Sequence, residues 1–195
     1  MRIHNRPQRG VFEEIKADID SGTGGLYFID APAGTGKTFL STTLLGYTRQ
    51  QEEIALATAS SGIAATLLAG ARTAHSRYKI PLDPTDTSTC NITRRQSDQT
   101  RTVIAKAKFL LWDEVPMTNR LCFEAFDRTL RDVLSSHPRY SDRMEAPCAT
   151  DRCGSSPKDE WRLDTGDEWR DGSTPEDEWR LDTGVRPLSG GVLIT

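Results

Sequence analysis

No run in the 195-residue sequence is long and apolar enough to cross a bilayer, and mean hydropathy is −0.54, so no membrane-spanning helix is expected. Arg2, Arg6 and Arg9 stand among polar residues with no apolar stretch behind them, which leaves no secretory leader to expect and makes a soluble, intracellular chain the working reading. The 4 cysteines, Cys90, Cys122, Cys148 and Cys153, show no C-x-x-C spacing. With His137 near Cys148 and Cys153 a fourth zinc ligand is not supplied at any usual spacing, and free thiols in a reducing compartment are expected instead. A strong charge of one sign is also lacking. The net charge of −3 divides into −5 from residue 136 onward, where 13 acidic residues meet 8 basic ones, and +2 before it. The front half is therefore compatible with nucleic acid and the tail is not.

What is present is organised around residues 26–38. Leu26, Tyr27, Phe28 and Ile29 form a short apolar run, followed by Asp30 and then Ala31, Pro32, Ala33, Gly34, Thr35, Gly36, Lys37 and Thr38. The pattern then changes to Phe39, Leu40, Thr43, Leu44, Leu45 and Tyr47, a helical recurrence. Strand, glycine loop and helix start make a P-loop: amides and the positive end of a helix hold phosphates, Lys37 reaches the β and γ phosphates, and the Thr38 hydroxyl ligates Mg²⁺. The first position of that motif is ordinarily glycine and is Ala31 here.

Upstream, Phe12, Ile15 and Ile19 alternate with Glu13, Glu14, Lys16 and Asp18, which predicts an amphipathic helix from near Arg9 to the Ser21-Gly22-Thr23-Gly24-Gly25 turn. Gln8, by its own chemistry, is an exposed polar residue near that helix start. Downstream, residues 54–59 read as a second buried strand, giving a βαβ unit. Ser60, Ser61 and Gly62 then open a small-residue helix at the carboxyl end of the strand, the edge where open α/β sheets bind ligands. A plain helix cap at Ser60 or Ser61 explains the same residues without a ligand. Residues 71–79 are basic with one aromatic, Tyr78, a composition suited to phosphate contact and base stacking and equally to a solvated loop. Residues 102–108 have the pattern of a short helix.

Phe109, Leu110, Leu111 and Trp112 form a third apolar run that ends in Asp113 and Glu114. After a P-loop, that pair fits a Mg²⁺ ligand laid beside the loop and a carboxylate aimed at the water that attacks the γ-phosphate. Thr118 or Asn119 is expected to cap a helix burying Phe123, Phe126, Leu130 and Leu134, with Arg120, Glu124, Arg128 and Arg131 outside.

Together, residues 28–40, 58–65, 72–76 and 112–117 closely resemble the petite-integration-frequency family, superfamily 1 DNA helicases that move 5′ to 3′, with forms carried by Helitron transposons. In that resemblance Ala31 is tolerated. It covers about the first two thirds of the chain and implies an α/β fold, a partial RecA-like P-loop domain with a parallel sheet. It implies that Gln8 hydrogen-bonds adenine, although His4 stands where leucine is usual. Ala33, Gly34, Thr35, Gly36, Lys37 and Thr38 then hold ATP, Thr38 and Asp113 hold Mg²⁺, and Lys37, Asp113 and Glu114 carry catalysis. Ser60, Ser61, Gly62, Thr73 and His75 contact DNA, as a single strand or a duplex junction. The activity implied is ATP-driven unwinding in DNA repair, recombination or telomere maintenance, in a nucleus or mitochondrion, without a membrane.

Residues 136–185 depart from the family. Asp159-Glu160-Trp161-Arg162-Leu163-Asp164-Thr165-Gly166 recurs at 177–184, with a partial copy at 167–170, and no helical or strand period emerges. A low-complexity, disordered insertion is expected. Leu188 to Thr195 resembles the glycine turn and strand that lead into the family's third motif. The second RecA-like domain and its arginines are not among these residues, so turnover by this chain alone is not expected. A nucleotide- and strand-binding module without turnover, and an inactive transposon remnant, are the competing readings. A longer reading frame should run from Thr195 into Gly-Asp with a Gln soon after. Sequencing the transcript checks this, and any other continuation removes the insertion reading.

Overall fold

The computed structural model describes residues 6–22, 25–93, 95, 98–135, 180–184 and 191–194, the last two segments by their backbone. Helix α1 (Arg6–Ser21) leads into β1 (Gly25–Asp30), α2 (Lys37–Gln50), β2 (Ala55–Ala59), α3 (Gly62–Leu67), β3 (Arg72–Thr73) and α4 (Ala74–Tyr78). There follow α5 (Gln99–Lys106), β4 (Phe109–Asp113), a 3-10 turn (Val115–Met117), α6 (Arg120–Ser135), β5 (Arg180–Gly184) and β6 (Gly191–Ile194). α1 begins ahead of Arg9, and α5 begins ahead of Thr102 because Asp98 caps it.

The strands make one 6-stranded sheet in the order β3-β2-β4-β6-β1-β5. Every neighbouring pair is parallel except β1 with β5. Both faces are covered, which explains why the strands are continuous apolar runs rather than alternating ones. Period-2 geometry sorts those runs. Tyr27, Ile29, Ala55, Ala57, Phe109 and Leu111 pack with Val11, Ile15 and Ile19 of α1 and Leu40, Leu44 and Leu45 of α2. Leu56, Leu110 and Trp112 pack on the opposite face with Ile104 of α5 and Phe126, Leu130 and Val133 of α6.

The strand expected around Val192 is β6, which lies between β1 and β4 and pairs Gly191 to Ile194 in parallel with both. Asp113 is thus separated from the P-loop strand by a strand, a lateral step of roughly 10 Å at about 4.8 Å per strand. Within the expected insertion, Arg180–Gly184 forms β5, antiparallel to β1 from Leu26↔Gly184 to Asp30↔Arg180. An edge strand is held by backbone bonds to one neighbour and tolerates charge, so it needs no hydrophobic period that a sequence reading could detect. Residues 136–179, with the earlier repeat copies, Cys148, Cys153 and His137, lie outside the described residues.

α6 is fixed to the sheet by its apolar stripe and capped by Asn119, whose side-chain oxygen accepts the Leu121 N–H at 2.9 Å. Its outer face carries Arg120–Glu124 and Arg131–Asp127 pairs at 2.6 and 2.9 Å. Arg101 joins α5 to α6 through the Asp132 carboxylate at 3.0 Å and its carbonyl at 3.0 Å. Asp98 accepts the Thr93 hydroxyl at 2.9 Å and the Thr93, Thr100 and Arg101 amides at 3.1, 2.8 and 3.4 Å. Those donors, the Thr93 hydroxyl foremost, hold its carboxyl down at about 2.

A pH dependence follows from Asp98. Its folded pKa lies below the ordinary 3.8, so its contribution is complete above that value and fades as pH falls toward about 2. Asp98→Ala should cost about 1 kcal/mol at pH 7, as lost helix caps do. The gap between the urea midpoints of variant and wild type should narrow as pH falls below 3.8 and close as pH reaches about 2.

Candidate nucleotide and strand-contact site

At the carboxyl end of β1 the chain turns through Gly34 and Gly36 at φ of 80° and 91°, left-handed conformations that glycine adopts without penalty. Gly36 immediately precedes α2, and the first intrahelical amide bond is Leu40 N–H to the Gly36 carbonyl at 3.1 Å. The amides of Lys37, Thr38 and Phe39 therefore stand at the positive end of a 14-residue helix, the arrangement that attracts phosphate. Lys37 folds back, its Nζ donating to the carbonyls of Ala31 and of Pro32, the latter at 3.1 Å. Thr35 braces the turn through its hydroxyl to the Pro32 carbonyl at 2.8 Å.

Gln8 is buried rather than exposed, at 8 %, and its side-chain amide donates to the Thr35 carbonyl. A Cβ on Gly36 would lie 2.7 Å from Gln8 Nε2. α1 thus brings Gln8 onto the phosphate loop, 27 residues away in sequence.

Across β6, β4 ends in Asp113, and Glu114 takes the left-handed conformation at φ 57°, ψ 38°, a strained choice for a residue with a Cβ. Three contacts hold it. Asp113 Oδ1 accepts the Glu114 N–H at 3.0 Å, Ser60 Oγ donates to the Glu114 carbonyl at 2.5 Å, and Ser61 Oγ donates to Glu114 Oε2 at 3.4 Å.

Ser60 is the meeting point of this edge. Its amide donates to the Asp113 carbonyl at 3.1 Å, and its oxygen receives Trp112 Nε1–H at 3.2 Å and the Thr118 hydroxyl at 2.5 Å. The sequence offers Ser60 as a strand contact or a helix cap and Thr118 as a cap; the structure instead joins both to the Trp112 indole in one hydrogen-bonded group. Alternation held the signal: Leu56, Thr58 and Ser60 share a strand parity, and Leu56 packs on the α5–α6 face with Trp112.

Ser61 caps α3, accepting the Ala64 N–H at 3.1 Å. Gly62 is exposed, with open space where a Cβ would stand. Thr73 caps α4 through the Ser76 N–H at 3.4 Å, and His75 Nε2 lies 3.6 Å from Cys122 Sγ. Burial pushes the Cys122 and Cys90 thiols up, and both are free thiols. Tyr78 is not available for base stacking. It is 1 % exposed, with its ring centroid 4.1 Å from Phe126 and 5.8 Å from Trp112, because it is the apolar anchor of α4. Burial raises its phenol to about 12.

All these groups lie at one carboxyl edge, because β1, β2, β3 and β4 run the same way. In strand order, Thr73 closes β3 and His75 follows it, Ser60 and Ser61 follow β2, Asp113 closes β4 with Glu114 next, and the P-loop follows β1. Among the described residues no group of three or more His, Cys, Asp and Glu is placed to hold a metal, and no helix is long and apolar enough to cross a membrane.

The family model for PIF1-like helicase matches residues 3–143. No curated protein matches the sequence. Among solved structures, a Bacteroides Pif1 bound to single-stranded DNA is 25 % identical with a TM-score of 0.52, over 68 % of this chain and 28 % of that one. The Bacteroides Pif1 in complex with ADP-AlF3 and single-stranded DNA is 26 % identical, TM-score 0.52, over 68 % and 29 %. A Candida albicans Pif1 at 24 % identity, TM-score 0.54, over 69 % and 29 %, shares the fold. The chain therefore spans under a third of the length of these structures.

Gly36→Ala tests the loop's backbone. The left-handed φ costs a Cβ-bearing residue about 1–2 kcal/mol, so binding of a fluorescent ATP analogue should weaken by about fivefold to thirtyfold.

Proposed function

This chain belongs to the PIF1-like helicase family, and from that premise we propose that its described residues are the ATP-binding part of a DNA-unwinding motor moving 5′ to 3′. The observation that carries the reading is the single carboxyl edge on which the P-loop, the Asp113–Glu114 pair and the Ser61–Thr73–His75 group stand in that lateral order.

On this reading Lys37 leaves the carbonyls of Ala31 and Pro32 for the β and γ phosphates, and the amides opening α2 hold the remaining phosphate oxygens. Gln8, already buried over the loop, contacts adenine. Thr38 and Asp113 offer one hydroxyl and one carboxylate, the sparse oxygen set suited to Mg²⁺, which neutralises phosphate charge and keeps water and phosphate among its ligands. Glu114 takes the proton of the attacking water. Ser61, Gly62, Thr73 and His75 grip a single strand at the other end of the edge, with DNA junctions as the working substrate. Unwinding requires a second domain to move against this one, and arginines from that domain stabilise transition-state charge; one such arginine is worth about 10³–10⁵ in rate. Alone, these 195 residues should bind nucleotide with little turnover. The setting on this reading is a nucleus or mitochondrion, in repair, recombination or telomere maintenance, and the Helitron-like motif spellings add a transposon-borne helicase as the source.

The test is equilibrium binding of a fluorescent ATP analogue with Mg²⁺ to the purified chain. Lys37→Ala should weaken it about tenfold or more, since a charged hydrogen bond contributes about 1.5–3 kcal/mol. Glu114→Gln should leave binding intact. Equal binding by wild type and Lys37→Ala would remove the P-loop reading.

A further inference from the structure

Ser60 and Ser61 connect the strand-contact end of the sheet edge to Glu114, one through the backbone and one through the carboxylate. Ser60 Oγ donates to the Glu114 carbonyl at 2.5 Å, while Trp112 Nε1–H and the Thr118 hydroxyl donate to Ser60 Oγ. The serine is thereby oriented by a buried tryptophan, 2 % exposed, and it fixes the left-handed turn at Glu114. Ser61 holds the other end of the same residue, donating to Glu114 Oε2 at 3.4 Å while its lone pair accepts Ala64 N–H at 3.1 Å.

A serine hydroxyl has one proton. Ser61 Oγ stands 3.4 Å from Glu114 Oε2, and because a carboxylate only accepts, any hydrogen bond between them uses the Ser61 proton. A phosphate diester oxygen is an acceptor without a proton of its own, so a strand phosphate gripped by Ser61 must take that same proton. The two contacts are mutually exclusive.

We propose that Ser60 and Ser61 are positioning residues forming a latch: Ser60 sets the Glu114 backbone, Ser61 parks its carboxylate, and a single-strand phosphate at Ser61 releases the carboxylate for the attacking water. This deepens the reading above and rests on it for the role of Glu114 and for strand contact at Ser61. It places the coupling between strand binding and hydrolysis in two consecutive hydroxyls between β2 and α3, facing the end of the adjacent strand β4, without a movement of the sheet. By linkage the effect is reciprocal: whatever removes the Glu114 carboxylate must strengthen the strand's hold on Ser61.

That reciprocity gives a test needing no turnover. Binding of a fluorescein-labelled oligothymidylate to the purified chain is measured for wild type, Glu114→Ala, Ser61→Ala and the double variant. Removing a carboxylate favours DNA electrostatically in either background, so the difference between backgrounds is the quantity of interest. Glu114→Ala should tighten binding about fivefold more when Ser61 is present than when it is alanine, the lower end of measured coupling energies. Ser61→Thr, which keeps a hydroxyl and a helix cap, should restore the larger tightening and separates the latch from loss of the α3 cap. Equal tightening in the serine and alanine backgrounds, or a threonine variant behaving as alanine, overturns the latch while leaving the strand-contact reading standing. No binding of the oligonucleotide by wild type overturns strand contact at this edge, and the latch with it.

Discussion

The fold depends on burying a parallel sheet on both faces. β2 and β4 pair from Ala55↔Phe109 to Ala59↔Asp113, and neither face of that pair can meet water: Phe109 and Leu111 need α1 and α2, Leu110 and Trp112 need α5 and α6. Parallel strands cannot be joined by tight turns, so each connection crosses a face and returns the chain to the same end. The chemistry-bearing residues accumulate at the carboxyl edge as a consequence. Their lateral order is the strand order.

At that edge, packing and chemistry share atoms. Trp112 fills the α6 face with Phe126 at a centroid distance of 5.5 Å, yet its indole N–H also orients Ser60. Tyr78 stacks on the same ring system, and its hydroxyl lies 3.4 Å from Thr58 Oγ1, whose proton goes to the Leu111 carbonyl at 2.6 Å. A buried polar group unpaired in such a layer is expensive. These hydroxyls are all partnered, which makes the turn at Glu114 a consequence of the core behind it. Similarly, Gln8 sits on the P-loop because α1 is held by Val11, Ile15 and Ile19 against α2, and its amide then has the Thr35 carbonyl within reach.

Much of this was legible. The glycines of the loop announce its left-handed turns, since Gly34 and Gly36 occupy backbone conformations that other residues avoid. Four-residue apolar runs at Leu26 and Phe109 announce strands, and helical spacing in 120–135 announces an amphipathic helix. What failed was parity and partnership. Tyr78, a lone aromatic in a basic stretch, suits a base-stacking platform until the packing of α4 turns it inward. Ser60 suits a ligand contact until its strand face is compared with Leu56 and Thr58. β5 carries the same Arg-Leu-Asp-Thr-Gly string as residues 162–166, so nothing local selects one copy for the sheet.

The sequence alone determined the chemistry available: a loop that admits phosphate, a carboxylate pair after a buried strand, hydroxyls at the ends of two others, because these are set by residue type and spacing within a few positions. The tertiary structure decided which of those groups meet. The insertion of β6 between β1 and β4, the seating of Gln8 over Thr35 and the closure of Ser60 and Ser61 on Glu114 all join segments at least 27 residues apart. Such contacts depend on which strand pairs with which and which face each side chain takes, and those are fixed only when the whole sheet is buried at once.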